Sequence, residues 1–536
     1  MPRKTAVTFD ERKIDAIFAD LDQGHLPGAA VGIAIGGMPV YRRGFGLANM
    51  ELPVVLAPTI RMRLASTTKH FAALAFLLLC EDGKATIDDP IGRHLPELHP
   101  VAHAVTLRQL MGHVGGLRDA FDICHLFSGV GQRISSPELL SFYREIDDVN
   151  AAPGVTWNYN NGGYMMLSAA IERIADRSLE EVLHERIFAP VAMNDTLLRR
   201  FDTDFLPNSA TPHMTRPGGG FEKSYVGSAS DGCGGMVSTI DDMLRWLAHM
   251  DAPWVGTKST WALMRAPQTL ANGCSTSYGL GLHNHAHRGV ATIGHSGNIM
   301  GSSAQMLKAP AAGLDVVVMV NRGDVSAAVL ADRILDACLP DLGPVPGPPE
   351  GPFATGLYRS PQTGRVVELA ASASAYVGNA DVQQIASIDG AAVPLARDGA
   401  GAWRPAGIVS SMNLALTFKG DPERPASIRL SDYGNVDELV AVTPVAEADV
   451  VAIVGRYSSR STGTEASISQ TEHGLQLSTI GRFGSAEFKL EAVADRIWRA
   501  TAKGGVGSVV ILTFDPDGAS FHLSSFRTRG LPFRRC

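Results

Sequence analysis

Three short motifs in this chain could do chemistry together. The first is Ser66-Thr67-Thr68-Lys69. A serine and a lysine three apart share one face of a helix. The apolar, helix-forming run from His70 to Glu81 follows at once, and Gly83 sits where such a helix would stop. The helix dipole favours a developing alkoxide at that end. A neighbouring amine can take the hydroxyl proton, which is the chemistry of an acyl-enzyme formed on serine.

The second motif is Tyr159-Asn160-Asn161. A phenol two residues from an amide can pass a proton to a leaving group while the amide holds a substrate carbonyl. Tyr433-Gly434-Asn435 has the same pattern but lies among turn residues in a β-rich region, where a structural turn is expected. The third motif is His295-Ser296-Gly297. His-x-Gly also occurs at His113 and His287, so the triplet is unspecific. Context separates His295: an apolar strand, Val290 to Ile293, runs into it, and Gly294, Gly297 and Gly301 let a backbone approach a ligand closely. An imidazole on such a strand could bond the substrate or the tyrosine and tune the local charge. The order matters most. The three motifs follow one another at intervals of 93 and 136 residues, all before residue 340.

The elements that must position these groups fall into three regions. Ala29 to Ile35 reads as a buried strand, turned by Gly36-Gly37 into a second near Val40-Tyr41. Leu314 to Val320 is another apolar strand, followed by a helix over about 326–338. Helix starts are expected at Ser136-Pro137-Glu138 and at Ser238-Thr239-Ile240-Asp241. This pattern predicts an α/β domain over 1–339 whose sheet is closed by its two ends around a helical insert. Six prolines between Pro340 and Pro352 predict a stiff linker over 340–352. Beyond it, Gly356-Leu357-Tyr358-Arg359-Ser360 recurs as Gly455-Arg456-Tyr457-Ser458-Ser459. Each copy opens a stretch of short alternating strands, which predicts two antiparallel β-barrels over 353–446 and 447–536.

The chain has 536 residues, 45% hydrophobic and 19% charged, with a net charge of −7. That balance supports folded domains and gives nothing for nucleic acid to bind. The longest nearly pure apolar run, Phe71 to Cys80, is far short of the ~20 residues a membrane span needs, so no membrane partner is expected. The N-terminal residues have no apolar leader segment, and the six cysteines are scattered without metal spacing. Both point to a cytoplasmic chain with reduced thiols and no metal or organic cofactor.

In their order and spacing, Ser66-x-x-Lys69, Tyr159-x-Asn161 and His295-x-Gly297 resemble the serine β-lactamase/penicillin-recognising hydrolase family. Asp82 to Pro90, Gly115-Gly116-Leu117 and Tyr278 to Leu282 add to the likeness. Most penicillin-binding members carry Lys-Thr-Gly as the third motif. Histidine there, with two barrels after the linker, is similar to the D-aminopeptidase branch. The resemblance implies a serine hydrolase that releases N-terminal D-amino acids from small peptides or amides through an acyl-enzyme. The alternatives are an esterase, a D-amino-acid amidase or a β-lactamase/D,D-peptidase-like hydrolase. It implies Ser66 as nucleophile, Lys69 and Tyr159 as proton carriers, Asn161 and His295 as orienting groups, and the amides of Ser66 and Asn298 as oxyanion hole. It also implies a homodimer. Finally, it implies a loop of the last barrel, about 479–489, that reaches the active site. There Glu487 is the candidate partner for the substrate ammonium.

Overall fold

The computed structural model describes residues 6–344 except 217, then 353–373, 382–398, 401–406, 412–445, 450–503 and 509–536. Of the expected linker, residues 345–352 lie outside the described residues. The first region is built on a six-stranded antiparallel sheet. Its strands are β1 (Ala29–Ile35), β2 (Met38–Phe45), β3 (His283–His287), β4 (Val290–Ile299), β5 (Ser302–Ala309) and β6 (Leu314–Val320), in the order β3-β4-β5-β6-β1-β2. The two ends of the region meet as expected, with Ala29 opposite Val320 and Ile35 opposite Leu314.

Strand β6 reads Leu-Asp-Val-Val-Val-Met-Val and is buried throughout, because both faces of the sheet are covered. Val31, Ile33, Val316 and Val318 pack with Phe18 of helix α1 (Glu11–Phe18) and with Leu330 and Ile334 of α6 (Ala327–Cys338). Ala30, Ala34, Val317 and Met319 turn to the other face, against Ile240 and Leu244 of α5 (Ile240–Asp251). Between β2 and β3 lies the helical insert, with α2 (Lys69–Glu81), α3 (Ala120–Ser128) and α4 (Asn161–Ala175).

Two expected helix starts shift by one residue. The helix Ser136–Phe142 is capped by Ser135, whose amide and hydroxyl both donate to the Glu138 carboxylate. Helix α5 is capped by Thr239, whose hydroxyl accepts from Asp242 N at 3.2 Å. Ser135 is held in extended backbone while Ser136 is already helical, and Thr239 caps α5 because Ser238 still belongs to the strand Met236–Ser238.

Two closed eight-stranded barrels follow, running from Gly356–Arg359 to Asn435–Val442 and from Gly455–Ser459 to Leu531–Arg535. The repeated five-residue segment is the first strand of each. Its tyrosines, Tyr358 and Tyr457, are buried in the two barrel cores. Closure brings the last strand back to the first, Tyr358 opposite Ala441 and Tyr457 opposite Arg535. A closed barrel has no free edge, so its loops can be spent on contacts elsewhere.

Candidate functional site

Ser66 sits in a 3₁₀ turn, Ala65–Thr68, that runs directly into α2. The turn is fixed from outside. Thr67 Oγ1 donates to the His295 carbonyl at 3.1 Å. Thr68 Oγ1 donates to Ala65 O at 2.7 Å and accepts from Met236 N at 3.1 Å. Ala65 has φ +46°, a left-handed conformation that costs a residue with a Cβ, directly before Ser66. Gly297 explains the last letter of the third motif. A Cβ there would stand 2.0 Å from Leu64 O, so β4 can lie against the turn only with glycine at this position.

Lys69 is completely buried. Its Nζ donates to Ser66 Oγ (3.2 Å), Asn161 Oδ1 (2.8 Å) and the Cys233 carbonyl (2.6 Å). An ammonium has three donors and here each has an acceptor. Asn161 opens α4 and is held by Asp119, whose carboxylate accepts from Asn161 N at 3.0 Å and Gly162 N at 2.9 Å. The same carboxylate caps α3 through Phe121 N at 3.1 Å. Sequence reasoning missed Asp119; an acid just after Gly115-Gly116-Leu117 and just before a helical run was the available signal.

Tyr159 precedes α4 and lies among aromatic rings. Its ring centroid is 4.7 Å from Lys69 Nζ and 4.3 Å from the His113 ring. The first barrel fixes the segment in front of it. Tyr433 stacks on Trp157 at 3.7 Å, and the Asn435 side chain bonds both backbone groups of Trp157, accepting from N at 3.0 Å and donating to O at 2.9 Å. Tyr433-Gly434-Asn435 is thus the structural turn expected, with φ +47° and +86° at its first two residues. It also clamps the motif it mimics.

His295 is buried, and neither ring nitrogen is left for substrate. Nδ1 lies 2.6 Å from the Ser296 carbonyl, which can only accept, so Nδ1 carries the hydrogen. Nε2 then accepts from Tyr278 Oη at 3.0 Å. The tyrosine it bonds is Tyr278, not Tyr159, whose ring is 6.4 Å away. Burial first, then the Lys69 charge, pushes its pKa down to about 3, so the imidazole is neutral. Both ring nitrogens are thus engaged within the protein, and the residue backs the turn that carries Ser66 through its carbonyl.

Ser66, Asn161 and Asn298 share the wall of one cavity of about 200 Å³. Phe121 and His125 of α3, the Cys233 segment and Arg527 complete it. Burial pushes the Cys233 thiol up to about 12, so it is no nucleophile at neutral pH.

Arg527 comes from the second barrel, on the loop between strands Ser520–Ser524 and Leu531–Arg535. That loop is stitched to the insert. The Arg527 carbonyl accepts from Asn150 and Asn158, both at 2.8 Å, and Ser525 and Thr528 hydroxyls donate to Asp122 at 3.1 and 2.9 Å. A loop of the last barrel therefore does reach the site, but it is 525–530 and not 479–489.

Glu487 does not reach the cavity. It lies on the strand Gly484–Ala494, its side chain 56% exposed and 3.5 Å from Lys503 Nζ. The turn before it docks elsewhere: Phe483 packs on Phe142 with ring centroids 5.4 Å apart, and Arg482 pairs with Glu145 at 3.0 Å. A cation and a ring at the hairpin tip found partners on the outside of the insert, which holds the acid at solvent.

Known proteins resemble this chain in sequence and fold. The beta-lactamase family model matches residues 14–339. A D-aminopeptidase of Cereibacter sphaeroides is 26% identical over 502 residues, 92% of this chain and 91% of that protein. One of Brucella canis is 29% identical over 347 residues, 64% of this chain; the match spans 65% of that relative's length. Among solved structures, an octameric penicillin-binding protein homologue from Pyrococcus abyssi superposes with a TM-score of 0.54 at 18% identity, covering 98% of this chain and 100% of that one. A D-amino acid amidase from Ochrobactrum anthropi SV3 gives 0.53 at 22% identity, covering 61% and 98%.

Several buried imidazoles in and around the first region are held with a lowered pKa. Burial lowers the pKa of His70, His113, His125, His213, His249, His283, His285 and His295. Each is depressed in the fold relative to the unfolded chain. Between pH 6.5 and about 4 the unfolded state therefore binds more protons, and stability falls as pH falls. A site held fully neutral contributes up to ~1.4 kcal/mol per pH unit in that window. Urea unfolding at pH 7.5 and 5.0 is expected to show a large loss at the lower value. Equal stability at the two would show that these imidazoles take up protons within the fold.

Proposed function

The chain belongs to the beta-lactamase family, and on that premise we propose that it is a serine hydrolase that releases N-terminal D-amino acids from small peptides or amides. One observation carries the reaction type: Lys69 Nζ joins Ser66 Oγ to Asn161 Oδ1, both of which lie in the wall of one cavity. Ser66 Oγ attacks the carbonyl of the D-residue, and its proton passes to Lys69 in its neutral-amine form, whose lone pair then faces Ser66 Oγ. The backbone amides of Ser66 and Asn298 receive the oxyanion. Tyr159, beside Lys69, delivers the proton to the departing amine. Asn161 gives its oxygen to Lys69 and keeps its NH₂ for the substrate. Water then hydrolyses the acyl-enzyme. His295 holds Tyr278 and, through its carbonyl, the nucleophile turn.

The choice of D-substrates and of a free amine rests on the relatives named D-aminopeptidase, one of them aligned along nearly the whole chain. A homodimer, from the family likeness, and a cytoplasmic setting, in keeping with six free thiols, belong to the same reading.

D-Ala-p-nitroanilide, its L-isomer and its N-acetyl form test the proposal, with Ser66→Ala as control. The free D-compound alone should be cleaved, and the variant should be inactive. Equal cleavage of the acetylated compound would move the activity to an esterase or peptidase with no need for an amine.

The Trp157 clamp gives a second expectation. Asn435→Ala removes both bonds to the Trp157 backbone and lets Tyr159 drift. It should lower kcat on the order of 10- to 100-fold with little change in KM and a retained fold. An unchanged kcat would show that the first barrel does not position the proton carrier.

A further inference from the structure

Arg527 is the one charged side chain on the cavity wall among the described residues. Its guanidinium lies 5.1 Å from the centre of the Tyr159 ring. No carboxylate stands within ion-pair distance of it among the described residues. Asp122, on the adjoining helix, has one oxygen filled by the Ser525 and Thr528 hydroxyls. Burial raises the Asp122 pKa, which weakens it as a counter-charge. The third motif adds no cation either, because His295 is neutral.

A guanidinium in a small, partly desolvated cavity calls for an anion. It also creates a difficulty for an aminopeptidase. A substrate with only an ammonium would bring a second cation into about 200 Å³. A dipeptide is zwitterionic and brings its own counter-charge. Tyr159 fixes which side that charge comes from. In the proposed reaction it serves the departing nitrogen, and the α-carboxylate of the departing residue is two bonds from that nitrogen. The carboxylate therefore arrives beside Tyr159, where the guanidinium already lies.

We propose that Arg527 receives the α-carboxylate of the leaving residue, so that the substrates of choice are dipeptides with a free N-terminal D-residue. The amine end of this proposal rests on the aminopeptidase reading above; the carboxylate end rests on the cavity and on Tyr159 serving the departing nitrogen. The loop is well suited to the task. Its backbone is anchored at the Arg527 carbonyl and at Arg529 N, which donates to Asn150 Oδ1 at 3.0 Å. The side chain is thus presented by a fixed main chain, and changing it leaves those anchors in place.

Four compounds test it: D-Ala-Gly, D-Ala-glycinamide and the N-acetyl form of each. Release of glycine or glycinamide gives kcat/KM for the wild type, Arg527→Gln and Arg527→Lys. Wild type should prefer D-Ala-Gly over D-Ala-glycinamide by roughly 10- to 100-fold, the range of one bond between charged groups. The glutamine variant should bring that ratio close to one, and the lysine variant should keep part of it.

Equal turnover of acid and amide by wild type overturns the proposal without reference to any variant, as does a ratio that survives Arg527→Gln. N-acetyl-D-Ala-Gly cleaved as well as D-Ala-Gly, with an Arg527-dependent preference for acid over amide, overturns the aminopeptidase reading and leaves the carboxylate receptor standing. No turnover of any compound sinks both. An Arg527-dependent preference for D-Asp-p-nitroanilide over D-Asn-p-nitroanilide would place the carboxylate on the acyl side and overturn the assignment to the leaving residue.

Discussion

A fully buried ammonium must be given acceptors, and the structure is organised around giving them to Lys69. The three oxygens come from three separate pieces of chain: the nucleophile turn, the head of α4 and the Cys233 segment. Each piece then needs its own support. Thr67 and Gly297 fit the turn to β4, Asp119 fixes the head of α4, and Thr68 ties the turn to Met236. Leaving one buried donor unpaired costs about 1–3 kcal/mol, more for a charged one. The geometry that places Ser66 beside Lys69 is therefore also the geometry that lets the lysine be buried.

The barrels serve the same site by another route. The turn of the first barrel grips Trp157, and the last loop of the second presents Arg527. A buried ionic knot braces these two contacts against each other. Arg365 pairs with Asp389 at 2.9 Å and with Asp432 at 3.2 Å inside the first barrel. Arg529 of the second barrel approaches Asp432 at 3.7 Å. Burial, then the nearby Arg365, pulls the Arg529 pKa down to about 10, which still leaves it charged at neutral pH. Asp432 is the residue before Tyr433, and Arg529 is two after Arg527. The two barrels thus reach the site at points that hold each other.

Much of this was legible in sequence wherever the signal is local. Strands β1 and β6 begin and end where their apolar runs do, and the repeated Gly-x-Tyr opens both barrels because its tyrosine fills the core. Ser66, Lys69, Tyr159 and Asn161 were legible because each sits at a locally marked helix start, at the head of α2 or α4. What depended on long-range docking was not legible. Two loops of the second barrel carry polar residues toward the insert. Only side-chain fit decides that Phe483 and Arg482 stay outside while Arg527 enters. The partners of His295 were hidden for a related reason. The sequence shows an imidazole at a strand end, but whether its nitrogens are free depends on Tyr278, which reaches it through the folded core.

The order of these parts along the chain has a consequence for synthesis. A polypeptide leaves the ribosome N-terminus first. Ser66, Lys69 and Asn161 have all emerged long before β6, whose pairing with β1 completes the sheet beneath them. The clamp on Trp157 comes a whole barrel later, and residues 525–530 come after a second barrel. A nascent chain therefore carries Ser66 and Lys69 well before the Arg527 loop that completes the wall of their cavity. The wall is made later than the groups it surrounds.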